Sequence, residues 1–425
     1  MSTKAEPAAA AGPTPPVPLA RNRGFRLLWI GQVVSNTGTE AAFIAYPLLI
    51  LALTHSPTIA GLVGTAEMAV QLVLGLPGGA ISDRLDRRLT MIVCDASRGG
   101  VLALLAVLVL VHLVTWPVVL VVAVIDGGAN VLFNPSVNAA LPGVVADEQL
   151  ERAWAATEAR TYAASLVGPA LGGFLFGLGR AVPFVADAAS YLASAGSVSR
   201  IRGKFRAEPS GDRKALWREV ADGLRLVWRQ PLLRAVVIQA PLINFAFNGA
   251  IFTITLALRQ HGTAPGVIGL TQAGIGVGGL LGAVIAPRLQ GRLSLWQLAV
   301  PMTVAGAALF AVAAAVLPSP LVALPVAVDL LLAPSANAAL FAAMLRATPE
   351  DMRGRVNSTV VQAAMALAAL APLISGLLVE HFSGQWSMAA FAAAMAVAGI
   401  MAVALPGLRN ARNAAATNEP ATPGH

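Results

Sequence analysis

Charged residues fill only 12% of the 425 positions and aromatic residues 6%, whereas a water-soluble domain carries roughly 25% charge. That deficit excludes a soluble globular fold. Cys94 is the single cysteine, so the chain builds no disulfide framework, no cysteine-based zinc site and no iron–sulfur cluster. It also lacks a glycine-rich phosphate loop, a Walker-type lysine motif and a serine–histidine–aspartate arrangement. ATP-driven transport and covalent catalysis have no residues to carry them, so the reading is not an enzyme, with no cofactor and no metal. Of the five histidines, His55, His112, His261 and His381 stand at the ends of apolar runs and His425 in the tail, an interfacial placement with no convergence on a metal.

What the chain has in quantity is apolar: 56% hydrophobic residues, with 40 Gly and 28 Pro, a composition that suits transmembrane helices. A crossing needs about 20 apolar residues. Twelve runs qualify, near 27–53, 59–82, 91–114, 117–144, 153–178, 181–201, 233–258, 265–289, 295–318, 320–346, 356–380 and 385–408. Bends are expected at Pro47, Pro135, Pro169, Pro334 and Pro372, where the helix loses a donor. Residues 1–20, rich in Pro and Ala, and 409–425 read as disordered tails.

The net charge of +8 could point to nucleic acid, but its distribution points to a membrane. Twenty-five of the 29 Lys and Arg fall on one side of the twelve runs, Arg180 and Arg259 fall on the other, and Arg98 and Arg160 lie inside spans. By the positive-inside rule both termini and the middle connection are cytoplasmic, facing anionic lipid. That connection, 202–232, separates an N-terminal half (21–201) from a C-terminal half (233–408). From Ala215 to Arg229 its apolar residues Leu216, Val220, Leu224 and Val227 recur at helical spacing, which predicts a surface-lying amphipathic helix.

The two halves repeat. Pro135-Ser-Val-Asn-Ala-Ala-Leu141 in the fourth span returns 199 residues later as Pro334-Ser-Ala-Asn-Ala-Ala-Leu340. A shift of 208 lays Asn36, Glu40 and Pro57 over Asn244, Asn248 and Pro265, and a shift of 203 lays Pro169 and Gly173 over Pro372 and Gly376. Parallel repeats imply a pseudo-twofold axis along the membrane normal and a substrate site between the halves near the midplane.

Between the second and third spans stands Gly79-Ala-Ile-Ser-Asp83-Arg84-Leu-Asp86-Arg87-Arg88, which resembles the loop signature of the major facilitator superfamily, with Asp86 where Gly is usual. Gly168-Pro169-Ala-Leu-Gly172-Gly173 in the fifth span is similar to the motif of that superfamily's exporting, antiporter branches. The resemblance covers roughly 21–408 and looks most like the bacterial branch of siderophore and macrolide exporters. It implies an all-α integral membrane fold of twelve transmembrane helices in two pseudo-symmetric six-helix halves. The first, fourth, seventh and tenth helices would line the cavity, and the loop motif (Gly79, Asp83, Arg84, Arg87, Arg88) would act as a conformational latch against the eleventh helix. A plain basic turn remains the alternative for that loop, and plain helix packing the alternative for Gly168–Gly173. The fourth-span Arg common in other drug-antiporter branches is absent.

Acids inside a span are costly and normally face a cavity or a partner. Glu40 lies thirteen residues into its run, about 20 Å along the helix, one turn beyond Asn36. Asp126, Asn130, Asn134 and Asn138 form an i, i+4 ladder, and Asp329 with Asn337 lies in the tenth span. These polar residues fall on the four helices named by the resemblance. Glu40, then Asp126, then Asp329 are the proton-coupling candidates, with buried structural carboxyls as the alternative. Asn36, Asn130, Asn134, Asn138, Asn244, Asn248, Asn337 and Phe245 are the cavity candidates. Asp95 and Arg98 are expected to form a local i, i+3 ion pair. Glu158 and Arg160 are expected to engage neighbours or reach toward the surface, and Glu67 or Asp187 could relay protons on the external side. The resulting expectation is a bacterial inner-membrane secondary exporter of a small amphipathic molecule driven by the proton gradient. An uptake symporter or facilitator, and a non-transporting scaffold or sensor, stay open. Membrane lipid and a small-molecule substrate are the implied partners, nucleic acid is not, and no oligomer is implied.

Overall fold

A computed structural model describes residues 18–82, 85–201, 222–290 and 292–405. The first half holds α1 (Arg23–Thr54), α2 (Pro57–Ser82), α3 (Arg87–Leu110), α4 (Trp116–Ala140), α5 (Leu150–Leu178) and α6 (Val182–Ser199). The second holds α7 (Pro231–Gln260), α8 (Pro265–Gln290), α9 (Leu295–Val316), α10a (Ala323–Leu330), α10b (Ala333–Ala347), α11a (Arg353–Ala366), α11b (Ala371–His381) and α12 (Gly384–Ala404). Taken with their broken partners these make twelve membrane helices. Eleven are long and apolar enough to cross by that measure alone, and α6, of 18 residues, carries a buried Asp187.

Short polar caps start several of the helices. Asn22 accepts from the Phe25 amide at 3.1 Å to start α1, Asp86 accepts from Leu89 N at 2.9 Å to start α3, and Ser294 with Gln297 forms a capping box on α9. The Asp that replaces the usual loop Gly is thus an N-cap. The five expected bends resolve into two kinds. α1, α4 and α5 run on through Pro47, Pro135 and Pro169. The tenth and eleventh helices break just ahead of Pro334 and Pro372, which open new helical segments where their missing N–H costs nothing.

The halves meet at the end that is poor in basic residues. One apolar cluster there draws on both halves, from Ile44–Leu51 of α1 and Phe184 of α6 to Ile254–Leu258 of α7 and Phe391 of α12. At the basic end the core divides. Phe25, Met91, Phe133 and Val198 form a cluster within the first half, while Leu233, Val356 and Val360, and separately Ala235, Leu295 and Ala402, form clusters within the second. α4 and α10b take their packing partners from their own halves. The molecule is a V, closed at the sparsely charged end and parted at the basic end.

Two glycine crossings hold the closed end. Gly61 of α2 abuts the Pro372 carbonyl of α11b, and Gly376 abuts the Pro57 carbonyl in return. The same contact recurs between α5 and α8, where Gly173 meets the Pro265 carbonyl and Gly269 meets the Pro169 carbonyl. None of the four has room for a Cβ, which is why these positions are glycine. The matched pairs obey the 208 and 203 shifts of the sequence repeat, so one ancestral contact is used twice.

The middle connection lies partly outside the described residues, at 202–221. Its described end, 222–229, is helical. Val227 there is fully buried against Val356 and Val360 of α11a, and Gly223 lies against the Arg355 carbonyl, so this end packs on the second half as well as facing outward through Leu224 and Trp228.

Candidate functional site

A polar cavity between helices lies in the first half. About 320 Å³ is enclosed by Ser35, Asn36, Thr39 and Glu40 of α1, Arg98 of α3, Asn130, Asn134 and Asn138 of α4, and Trp154, Thr157, Glu158, Arg160 and Thr161 of α5. It runs from Glu40 in the middle of α1 to Asn138 and Trp154 near the basic end. Glu40 accepts a hydrogen bond from Ser165 Oγ at 2.9 Å. Its room is made by the exporter-type motif: Gly168 faces the Glu40 Cβ and backbone, and Gly172 faces the Ala41 backbone. α5 therefore presses one glycine edge on α1, around the acid, and another on α8 of the opposite half.

Behind this cavity lies a buried ion pair. Arg98 Nε donates to Asp126 Oδ1 at 2.7 Å, and its Nη2 lies 3.5 Å from Asp126 Oδ2. Its Nη1 reaches Asn130 Oδ1 at 3.4 Å. The guanidinium stands 4.1 Å from the ring centre of Tyr191 on α6, a cation–π contact, and the Tyr191 hydroxyl shares a 2.7 Å hydrogen bond with Thr39 on the cavity wall. The local pair expected between Asp95 and Arg98 is therefore corrected: Arg98 turns across to α4, and Asp95 stays beyond salt-bridge distance beside Ser194. A bidentate carboxylate on the facing helix offers better geometry than a neighbour on the same helix. Asp187, which accepts from Ser190 Oγ at 3.0 Å, and Glu67 lie within electrostatic reach of the pair. The cationic partner for α4 thus comes from α3, in a chain that lacks an Arg on its fourth helix.

The remaining expected site residues fall elsewhere. Asn134 donates to Asn130 at 3.2 Å, which joins two rungs of the polar ladder of α4. Asn244 and Asn337 line a separate space of about 90 Å³ in the second half with Gln239 and Thr303. Asn244 and Asn248 each donate to the backbone one turn back. The Phe245 ring packs on Phe391 of α12 at 5.2 Å. Asp329 is buried away from the polar cavity, with no hydrogen-bond partner for Oδ1 among the described residues. It faces Gly306, where a Cβ would lie 2.6 Å from that oxygen. Asp83 and Arg84 lie outside the described residues, and nothing is described of Gly79 beyond its place in α2. Arg87 donates to the Ala139 carbonyl at 2.9 Å and Arg88 to the Ser199 carbonyl, so both cap helix ends of their own half, in keeping with the helix dipole. Ser165, Trp154 and the inward placement of Arg98 and Arg160 were not among the expected site features. The signal available for the two arginines was their position inside spans, where a cation needs a reason to stay.

A polar chamber within a two-fold, parted bundle defines a membrane carrier of the major facilitator class. The model of the transmembrane secretion effector family matches residues 14–423, and the chain belongs to that family, in the superfamily's bacterial efflux branch. Over 400 residues it is 26% identical to the multidrug efflux pump Tap of Mycolicibacterium fortuitum, covering 90% of this chain and 96% of that one. The enterobactin exporter EntS of Citrobacter koseri is 25% identical over 280 residues, 64% of this chain and 65% of that one. A solved bacterial homolog of the human lysosomal transporter Spinster, inward-facing and unoccupied, shares the fold with a TM-score of 0.72 at 12% identity, over 92% of this chain and 98% of that one.

Proposed function

We propose that the chain exports a small amphipathic organic molecule, an antibiotic, siderophore or other natural product, in exchange for protons, by alternating access across the bacterial inner membrane with both termini cytoplasmic. One observation carries this reading: the polar chamber holding Glu40 reaches the basic end of the V while the glycine crossings shut the opposite end. With the basic end cytoplasmic, this is the loading state. Relatives named for multidrug efflux and enterobactin export support outward cargo of this kind.

Coupling needs occupancy by substrate and proton to exclude one another. Glu40 enters the loading state protonated. Cargo from the cytoplasm displaces the proton, and the carboxylate keeps the Ser165 hydrogen bond. After the halves rock over, an external proton returns to Glu40, weakens the hold on the cargo and resets the carrier. The Arg98–Asp126 pair beneath the chamber is the second place where a proton could act, since protonating Asp126 would release the guanidinium toward the cavity. Asp329, set behind the second half's helices, ranks third.

Inverted vesicles with an imposed pH gradient test the reading with a panel of antibiotics and siderophores. The native chain should accumulate at least one compound in a gradient-dependent manner. Glu40→Gln should abolish that dependence, and Asp126→Asn should weaken it. Undiminished gradient-driven transport in both variants would remove the proton assignment, and accumulation by whole cells instead of vesicles would reverse the direction.

A further inference from the structure

Two guanidiniums face the polar chamber, and they are treated differently. Arg98 is saturated by Asp126, Asn130 and the Tyr191 ring. Arg160 is 8% exposed, yet among the described residues its Nε has no hydrogen-bond partner and no salt bridge reaches it. Glu158 is within electrostatic reach but stands two residues along α5, a spacing at which side chains do not face each other, and it is exposed. A buried cation without a partner is costly. The side chains around Arg160 fit a guest. Trp154 offers an aromatic face and Asn138 an amide on the same wall. Thr157 and Thr161 turn their hydroxyl protons back to their own helix at 3.0 and 3.2 Å, which leaves Arg160 as the strong donor. Arg160 also lies five residues nearer the basic end than Ser165, the residue bonded to Glu40, about 7.5 Å along α5.

We infer that Arg160 is the anchor for an oxyanion on the transported molecule, so the cargo is an amphipath carrying a carboxylate or similar acidic group. This rests on the export reading of the chamber. A guanidinium binds such a group through two parallel hydrogen bonds, and the apolar remainder lies on Trp154 toward the open gap between the halves. Glu40, deeper in, is left free for the proton or for a cationic group on the same molecule.

The test uses the full chain in lipid nanodiscs and three probes of one skeleton: 1-pyrenebutyrate, 1-pyrenebutanol and 1-pyrenebutyltrimethylammonium. Binding is read as energy transfer from protein tryptophan above empty nanodiscs. Wild type should bind the butyrate most tightly. Arg160→Met should weaken the butyrate about tenfold or more and leave the butanol within about twofold, which also reports that the variant is folded. Arg160→Lys should keep part of the preference, and Arg160→Glu should turn it toward the ammonium probe. An equal loss of all three probes, or no loss, would overturn the anchor role while the chamber reading stood. Failure of wild type to bind any probe would overturn the chamber reading itself. Loss of butyrate binding when phosphatidylglycerol is added to the nanodisc would assign Arg160 to a lipid headgroup and overturn the cargo role.

Discussion

At the scale of single residues, the Arg98–Asp126 pair is the one buried salt bridge among the described residues, with side chains 3% and 6% exposed. Removing one member of a buried pair strands the other, at a cost of about 3 kcal/mol or more. Arg98→Met should lower the melting temperature of the purified protein sharply, Arg98→Met with Asp126→Leu should recover much of the loss, and Asp95→Asn should melt near wild type. If Asp95→Asn were the damaging change, the pair would be the local one instead. The true partner was not readable from the chain, because spacing reports neighbours on one helix and not how far α3 is rotated about its axis toward α4. Arg160 escaped for a related reason: ten residues from the start of α5, it is close enough to the helix end to pass for a surface-seeking side chain, and only the packing of α1, α4 and α5 buries it. The depth of Glu40, by contrast, was legible, since it stands in the middle of an apolar run that became one helix of 32 residues.

At the scale of elements, the glycine crossings decide whether the halves can close. A methyl group at Gly173 or Gly376 would strike a partner carbonyl, so either Gly→Ala change should part the closed end and cut transport. Cysteine accessibility measures it. In a Cys94→Ser background, Ala45→Cys, which is fully buried at the closed end, should be labelled by an impermeant maleimide in whole cells roughly tenfold faster once Gly173→Ala is added, a shift of about 1.4 kcal/mol. The α2–α11b crossing carries an extra tie. Glu380 Oε2 accepts from Ser56 Oγ at 2.6 Å and from Thr58 N at 2.8 Å, across the halves. Glu380→Gln replaces a charge-assisted pair of bonds by neutral ones, about half as strong, and should raise the same labelling rate by a smaller factor. The repeated Pro and Gly positions made these crossings visible as a motif in the chain, but not their partners, since each glycine acts on a helix of the opposite half.

At the scale of the whole molecule, the sides of the membrane can be read directly. Thr161→Cys lines the parted chamber and, in the Cys94→Ser background, should react with an impermeant maleimide in inverted vesicles and resist it in whole cells; the opposite pattern would invert the orientation. The twelve-helix plan was legible because the bilayer imposes a fixed length on each run and the duplication leaves matched Pro, Asn and Gly positions. The direction in which the V gapes was not legible, because both states are built from the same helices and differ only in which ends touch. The crossings carry one more consequence. They join the halves through bare peptide surface at two points, like a pair of smooth bearings, so at the crossings themselves no side chain has to leave its rotamer as the halves roll. The bearings are unequal: Ala264 and Gly177 stand at the repeat positions of Ser56 and Glu380, so the α5–α8 edge has no clasp. The seam should peel first along that edge, releasing cargo to one side before the far corner lets go.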